Sequence, residues 1–344
     1  MFRPVCLICL PVTGCSVSDD GNVQKFLEIK NVALRALKDC LGVKRGEKVL
    51  VITDTIRKDI AIPFYMAAQE MSAKVSYAEI VPRSINGQEP PDYVAAAMLN
   101  SDVILMITKA SLTHTRAKKA AGENGARGVS IPLGFGDNDH IRKMLTTGGM
   151  TMDYKKMSEG IERMISYLNR TGRAHVKTAQ GTDLVIEYGG REFYRDSGIA
   201  MEPGVFTNLP AGEAYVAPVN VNGRAVIDVA FGRIGTLASP LDIMISEGRI
   251  VSISGYGSDI LENVFSTYGD QARIIAEFGF GTNPKAHFCG VTIEDEKVFG
   301  TVHIAIGSNM DFGDDIDAGV HLDGIISSPE VYVDGKRFDI NSFF

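Results

Sequence analysis

The first half of the chain alternates between helical and strand-like spacing of its hydrophobic residues. Apolar residues recur three and four positions apart over 22–39, which predicts an amphipathic helix. The stretch 48–54 is mostly apolar and lies between turn residues, as is typical of a buried parallel strand. Further helices are predicted at 57–71, 91–99, 115–122 and 152–169, and further strands at 73–82, 102–108 and 127–133. This alternation predicts β-α-β units and an α/β domain with a doubly wound, mainly parallel sheet.

The second half has a different pattern, in which short strand-like segments are separated by Gly, Asn or Asp. Strands are predicted at 174–178, 183–187, 225–230 and 249–254, and one helix at 256–268. This pattern is typical of a mainly β (α+β) domain. We therefore expect a ragged N-terminal segment over 1–20, an α/β domain over 21–170 and a β-rich domain over 171–344.

Composition and charge narrow the range of partners. The 344 residues carry a net charge of -7, and the 35 Lys and Arg residues are scattered, whereas a nucleic-acid-binding protein has a basic face. The apolar stretches are shorter than the roughly 18 residues that span a bilayer. We expect a cytoplasmic protein that acts on small molecules, with no nucleic-acid or membrane partner.

The N-terminal cysteines leave one alternative open. The string Val12–Cys15 resembles a lipoprotein cleavage box, but the apolar run before it is short for a signal peptide. Cys6 and Cys9 form a C-x-x-C without the second pair that would complete a zinc site. Reduced thiols in a ragged start are the simpler interpretation.

Several common catalytic motifs are missing from the sequence. It contains no G-x-S-x-G, H-E-x-x-H or Walker sequence, which argues against serine hydrolases, zincins and P-loop enzymes. The segment Gly279–Pro284 begins like a dinucleotide fingerprint, but proline stands where the third glycine is needed. The chemistry must therefore be sought elsewhere in the chain.

Polar residues interrupt apolar segments of the second half. In 301–307, the two-residue period of a strand places His303 on one face with Ala305 and Gly307, which leaves space above the imidazole. His321 and Asp323 share one face if their segment is extended. Glu277 lies within an apolar strand, and Glu213 within a second strand-like segment, where an unpaired carboxylate costs several kcal/mol.

These five residues form a plausible metal-ligand set. Three carboxylates contribute three negative charges, so two divalent ions would leave about one positive charge to hold a hydroxide. A single ion would need only two histidines and one carboxylate, the facial triad of non-haem iron sites. The sequence is compatible with either one or two metal ions.

Two further histidines are candidates for contact with a substrate. His114 lies at a strand-to-helix junction and could face a cleft between the domains, although helix capping by Ser111, Thr113 or Thr115 is the simpler role of this stretch. His287 follows a turn that could bring it close to Glu277.

Four blocks of the second half resemble the metal-binding blocks of the metallo-aminopeptidases of the aminopeptidase T and aminopeptidase S type, the thermophilic-type leucyl aminopeptidases. They are Asn208–Pro218, Ala276–Gly279, Gly300–Gly307 and His321–Gly324, in the family's order. The resemblance implies a metal-binding catalytic domain over 171–344 and a homodimer. It also implies two divalent ions (zinc, cobalt or manganese) held by Glu213, Glu277, His303, His321 and Asp323. The expected function is that of a hydrolase in which metal-activated water attacks an amide carbonyl of a small peptide or another small molecule, with Glu277 a catalytic residue.

One position departs from the family pattern. The family has an active-site tyrosine seven residues after the histidine of the third block, and Met310 replaces it here. A thioether cannot donate the hydrogen bond of a phenol. The replacement therefore removes from this position the donor that the tyrosine supplies in the related peptidases.

A related group, similar to 2,5-dihydroxypyridine dioxygenases, shares the fold and the H-x-D block but uses one iron ion and O₂ to open an aromatic ring. That resemblance implies histidine at the position of Glu277 and no equivalent of His303. The chain keeps the peptidase-type set, and a mononuclear iron dioxygenase using His303, His321 and Asp323 or Glu277 is the alternative.

Overall fold

A computed structural model describes residues 19–71, 74–310, 312–314 and 316–344. The string Val12–Cys15 and the pair Cys6 and Cys9 lie outside the described residues. In the described part of the chain, no helix is both long and apolar enough to cross a membrane.

A parallel sheet with helices on both faces forms the first half of the chain. Its strands are β1 (Lys48–Asp54), β2 (Lys74–Ile80), β3 (Val103–Thr108) and β4 (Arg127–Pro132). Its helices are α1 (Asp19–Arg35), α2 (Lys58–Met71), α3 (Asp92–Leu99), α4 (Arg116–Glu123), α5 (Asn138–Thr147) and α6 (Tyr154–Leu168). The strands are parallel in the order β2-β1-β3-β4, which confirms the predicted doubly wound sheet.

Alternate residues of β1 pack into two separate cores. Val49 and Val51 belong to a large core that also contains residues of α1 and α2. Leu50 and Ile52 belong to a smaller core with residues of α3 and α4. Because both faces of the strand are buried, its sequence is almost continuously apolar, which is why the strand can be predicted from the sequence.

The hydrophobic pattern does not predict α5. Only Ile141, Met144 and Leu145 of its ten residues are buried apolar side chains. The helix begins at Asp137, whose carboxylate accepts a hydrogen bond from the backbone N–H of His140. This N-cap provides a local start signal that does not depend on a long apolar stripe.

Two antiparallel sheets form the second half. The first contains β5 (Arg173–Lys177), β6 (Asp183–Glu187), β10 (Asn220–Ile227), β13 (Leu241–Ser246), β14 (Arg249–Gly255), β18 (Glu330–Val333) and β19 (Lys336–Arg337). The second contains β7 (Tyr194–Asp196), β9 (Glu213–Val216), β11 (Ala230–Phe231), β12 (Gly235–Thr236), β15 (Ile275–Gly281), β16 (Val302–Gly307) and β17 (His321–Ile326). Helices α7 (Ser258–Tyr268) and α8 (Thr292–Asp295) complete this half. The predicted mainly β domain is confirmed.

A short strand connects the two halves. Strand β8 (Phe206–Asn208) pairs in parallel with β4 at the edge of the first sheet, although it lies beyond residue 170 in the sequence. Glu213 starts β9 soon afterwards. The chain thus passes directly from the parallel sheet to the sheet of β15, β16 and β17.

The carboxyl ends of the parallel strands are shaped by one buried carboxylate. Asp54, at the end of β1, accepts hydrogen bonds from the backbone N–H groups of Ile56, Arg57 and Lys109 at 3.0, 3.0 and 2.6 Å. These bonds fix the loops that follow β1 and β3. Ligands of α/β proteins bind at this edge of the sheet.

Candidate metal centre

One face of the sheet of β9, β15, β16 and β17 carries the five predicted ligands. Glu277 and Asp323 both lie opposite Ala305, and Gly307 lies opposite His321. Gly279 lies opposite His303. Because alternate residues of a strand share a face, the register places the carboxylates and imidazoles together, separated by residues with little or no side chain.

The first group of possible ligands is fully buried. Glu213, Glu277 and His303 each offer a ligand atom within 4.8 Å of the others. The Nε2 atom of His303 lies 3.2 Å from Glu213 Oε2 and 3.2 Å from Glu277 Oε1. The other ring nitrogen of His303, Nδ1, is buried and has no hydrogen-bond partner among the described residues. The ring nitrogen that faces the two carboxylates is therefore Nε2.

The second group lies closer to solvent. It consists of Glu277, His321 and Asp323, again with ligand atoms within 4.8 Å of one another. The Nε2 atom of His321 lies 3.5 Å from Glu277 Oε2 and 3.3 Å from Asp323 Oδ1. Its Nδ1 atom is 2.8 Å from the carbonyl oxygen of Ser308, so it can donate there and leave the lone pair on Nε2.

Glu277 is common to both groups and uses a different oxygen in each. Its Oε1 faces His303 and its Oε2 faces His321. Each oxygen of Glu277 is thus available to a different group of possible ligands. The structure therefore brings all five predicted ligands together, with Glu277 in the centre.

The carboxylates strongly perturb the imidazoles. Burial alone would lower the pKa of His321, but the neighbouring Asp323 and Glu277 carboxylates raise it to about 10. The pKa of His303 is raised well above its usual value because Glu213 and Glu277 outweigh the effect of burial. Burial opposes ionisation of Asp323, yet His321 lowers its pKa to about 2. The cluster thus attracts positive charge.

A buried lysine and two further carboxylates adjoin this cluster. The Nζ atom of Lys297 is 2.5 Å from Glu213 Oε1, 2.8 Å from Glu296 Oε1 and 3.3 Å from Asp196 Oδ2. The lysine side chain has no solvent exposure. Sequence reasoning missed these three residues, because Glu296 and Lys297 follow α8 in a segment that looks like a charged surface turn. The apolar residues Val298 and Phe299, which follow directly, were a sequence signal that this segment is buried.

The donor set fits divalent metal ions. Carboxylate oxygens and imidazole nitrogens are the ligands that zinc, manganese, cobalt and iron(II) accept in proteins. The groups are close enough to share an ion, and the Ser308 carbonyl orients His321 as an outer partner does in metal sites. Metal binding is therefore supported, while the geometry is compatible with several first-row ions.

A cavity of about 960 Å³ opens onto the outer group. Glu277, His321 and Asp323 line one side, and residues that follow the parallel strands, including Lys109 and Ser111, line the other. Both halves of the chain therefore enclose the space next to the ligands. A small molecule fits this volume.

The two further histidines have different positions. His114 lines the cavity, and its ring centroid lies 6.2 Å from that of His321. The neighbouring Thr115 caps α4 by accepting a hydrogen bond from the Lys118 N–H, so the capping role considered for this stretch is confirmed, and substrate contact by His114 stays a prediction. His287 is instead 3.6 Å from Glu294, and that pair lies apart from the ligand groups.

Met310 lies away from the cavity, whereas Tyr215 lines it. Met310 is 53% exposed and is absent from the described lining residues. The position that the resemblance assigns to the family tyrosine thus contributes no group to this cavity. Tyr215 lies two residues after Glu213 on β9, and burial together with Glu277 and Glu213 raises its pKa well above 10. Tyr215 therefore remains a hydrogen-bond donor at neutral pH.

Comparison with known proteins identifies one family whose model matches most of the chain. A family model described as "NicX: 2,5-dihydroxypyridine 5,6-dioxygenase" matches residues 28–340. No curated protein matches this sequence.

Two solved structures are similar over almost their whole length. The structure of 2,5-dihydroxypyridine dioxygenase from Pseudomonas putida KT2440 has a TM-score of 0.74 at 18% identity, with 92% of this chain and 95% of that chain covered. Wild-type AmpT from Thermus thermophilus has a TM-score of 0.66 at 18% identity, with 91% and 97% covered. At this identity the likeness shows a common fold, and that fold carries both a dioxygenase and an aminopeptidase-type protein.

Proposed function

The chain belongs to the NicX family, 2,5-dihydroxypyridine 5,6-dioxygenase, and within this family we propose that it is a metal-dependent enzyme that hydrolyses an amide bond in a small molecule. The proposal departs from the family's description because of the ligand set. It follows the aminopeptidase-type resemblance of the four sequence blocks.

The observation that carries this proposal is the sharing of Glu277 between two ligand groups. Each group contains one histidine and two carboxylates, and neither contains both His303 and His321. A mononuclear iron triad needs two histidines and one carboxylate around one ion. Two positions joined by a central carboxylate favour a two-ion centre.

The residues of the cavity can support hydrolysis in distinct ways. When bound, divalent ions lower the pKa of water and polarise a carbonyl group. Glu213, Glu277, His303, His321 and Asp323 would hold the ions. Tyr215, protonated beside Glu277, can donate a hydrogen bond to negative charge that develops on the carbonyl oxygen. The cavity volume of about 960 Å³ suits a small ligand, so a short peptide or another small amide is the proposed substrate.

Ring cleavage by a mononuclear iron enzyme is the second candidate. The match of the family model over residues 28–340 favours it. The aromatic rings of Tyr215 and Phe312, with centroids 5.1 Å apart, line the same cavity and could contact a planar substrate. His303 and His321 would serve the iron, and either Asp323 or Glu277 would complete the set.

Metal analysis of protein purified without chelators separates the two candidates. Hydrolysis predicts about two equivalents of zinc, cobalt or manganese for each chain. Ring cleavage predicts about one equivalent of iron.

Activity assays provide the second half of the test. Metal-loaded protein is given leucyl and alanyl amides, and release of the amine is measured. In parallel, the iron-loaded protein is given 2,5-dihydroxypyridine and O₂ consumption is followed. Amide hydrolysis without O₂ uptake supports the proposal, and the reverse result replaces it with the dioxygenase.

We also propose that the protein is cytoplasmic and that it is a homodimer, as the aminopeptidase resemblance implies for the oligomeric state. Light scattering coupled to size-exclusion chromatography measures the oligomeric state directly. A monomer at micromolar concentration would contradict this part.

A further inference from the structure

The cluster contains three places where a positive charge can be held by carboxylates, and the ammonium group of Lys297 occupies one of them. Going inward from the cavity, one place lies among Glu277, His321 and Asp323, and the next among Glu213, Glu277 and His303. The third place, among Asp196, Glu213 and Glu296, holds the ammonium group of Lys297.

Glu213 divides its two oxygens between the inner two places. Oε1 contacts Lys297, and Oε2 faces His303 at 3.2 Å. Lys297 therefore leaves Glu213 only one oxygen for a metal ion. It also places a positive charge beside that ion position, partly offset by its ion pairs with Asp196 and Glu296, in a buried region where charges are weakly screened.

Among the described residues, no lysine forms an ion pair with the carboxylates of the outer place. Among the described residues, the ion pairs of Asp323 and of Glu277 are with histidines alone. Asp323 and His321 are also partly exposed, at 15% and 20% of their side-chain surface, so an ion can enter from the cavity. The two metal positions thus differ both in charge and in access.

We propose that Lys297 is a positioning residue that makes the two ion positions unequal, so that the outer position binds a divalent ion tightly and the inner position binds one weakly. This inference rests on the two-ion centre of the proposed function. It goes further by assigning the difference to one side chain and by predicting which position empties first.

Stepwise occupancy has a consequence for the enzyme. At a low concentration of free metal, the chain carries one ion, held by Glu277, His321 and Asp323. At a higher concentration the second ion enters beside Glu213. Metal supply would then control whether the two-ion centre is complete.

The test is a titration of chelator-treated full-length protein with Co²⁺, followed by calorimetry and by the visible absorption of the bound ion. Wild-type protein is expected to bind two ions in separate steps, with the second dissociation constant larger by about tenfold or more. Glu213→Gln should remove the weak step alone, and Asp323→Asn should remove the tight step.

The decisive variant is Lys297→Met, which has a similar length and no charge. It should tighten the weak step by about tenfold or more, because the repulsion is removed. Lys297→Arg, which keeps the charge, should leave both steps close to those of the wild type. Circular dichroism and thermal unfolding of each metal-free variant establish that it is folded.

Several results would overturn the inference. These are two equal steps in the wild type, a folded Lys297→Met variant whose weak step is unchanged or lost, or loss of the tight step in Glu213→Gln. If Lys297→Met does not fold, Lys297→Gln removes the charge with a polar side chain, and the Glu213→Gln and Asp323→Asn titrations test which position is the weak one. A wild-type chain that binds one ion at saturation would contradict the two-ion function, and the inference would then fail unless Lys297→Met gains a second ion. Because the readout is metal binding, a lack of amide hydrolysis would leave this result intact.

Discussion

At the scale of single residues, the environment of each carboxylate decides what it can do. Glu277 and Glu294 are both buried glutamates. Glu294 accepts backbone hydrogen bonds from Gly149 and His287, which is a structural role. Glu277 instead faces two imidazoles with its two oxygens, and in the proposed two-ion centre it would serve both ions.

Glu277→Gln is expected to keep the fold and to lose at least one metal ion. The amide has nearly the same shape but removes a negative charge from both ion positions, so the bound metal should fall from about two ions to one or fewer. Elemental analysis after gel filtration measures the content. Glu294→Gln is the matched control and should retain full content. Full occupancy in Glu277→Gln would mean that Glu277 is structural.

Metal affinity is expected to rise with pH across the neutral range. The pKa of His321 is raised to about 10 in the metal-free chain, and that of His303 is also raised, so a binding ion must displace protons. Affinity should increase by about tenfold per pH unit for each proton released. Calorimetry in buffers of different ionisation enthalpy measures that release. An affinity that is constant between about pH 6 and 8 would contradict this prediction.

The same shift predicts the pH dependence of stability without metal. The folded-state pKa of His321 lies above its unfolded value, so its ion pairs stabilise the fold fully below about pH 6.5. This contribution is lost as the pH rises through about 10. Urea unfolding of chelator-treated protein should show that His321→Gln differs from the wild type less at high pH than at neutral pH. An equal difference at both would exclude the linkage.

Tyr215, rather than the side chain at position 310, is expected to supply the hydrogen-bond donor for amide hydrolysis. Tyr215→Phe should lower kcat by about 100- to 1000-fold with unchanged metal content. Met310→Tyr should have little effect, because Met310 is exposed and lies outside the described lining of the cavity. Steady-state kinetics on leucyl amides measure both. A large gain in kcat from Met310→Tyr would instead place position 310 at the site.

At the scale of elements, the pairing of β15 with β16 makes room for the ligands. Gly279 lies opposite His303, and a methyl group added at Gly279 would be only 2.1 Å from His303 Nε2. Any side chain there would push the imidazole away from Glu213 and Glu277. The glycine of the Ala276–Gly279 block is thus needed for space.

Gly279→Ala is therefore expected to weaken the inner ion position selectively. The displaced His303 should cost about 1–3 kcal/mol of folding free energy and should reduce binding of the second ion. Gly21→Ala, where nothing lies within 4 Å of the added carbon, is the control. Thermal unfolding and metal titration are the measurements. Unchanged binding of both ions would show that the imidazole is not a ligand.

At the scale of the whole molecule, the parallel sheet supplies one wall of a cavity whose other wall holds the ligands. His114, which follows β3, reaches the ring of His321 across this space. Strand β8 connects the two walls, because it pairs with β4 and leads directly to Glu213. The first half of the chain therefore contributes to the site as well as to stability.

His114→Ala is expected to lower kcat/KM by about 100-fold while metal content and stability stay unchanged. Thr115→Ala is the adjacent control. It should cost about 1 kcal/mol of stability through loss of the α4 N-cap, with little change in kcat/KM. Kinetics, metal analysis and thermal unfolding of both variants provide the comparison. Equal kinetic losses would mean that this loop acts only through folding.

The sequence by itself determined the fold class and the identity of the five candidate ligands. Strand β1 is apolar on both faces, because helices cover both, and this signal is local. The ligands could be chosen because a carboxylate such as Glu277 inside an apolar strand is costly unless it has a partner. Both inferences depend on neighbours along the chain.

Only the tertiary structure decided which residues meet. The division of the ligands into two groups around Glu277 depends on the register of β15, β16 and β17, and register is set by pairing between distant segments. The contact of Lys297 with Glu213, 84 positions away, likewise depends on long-range packing. The position of Met310 outside the cavity depends on the path of its loop. Charge and periodicity along the sequence indicate that a buried residue requires a polar or charged partner. Long-range packing determines which group that partner is.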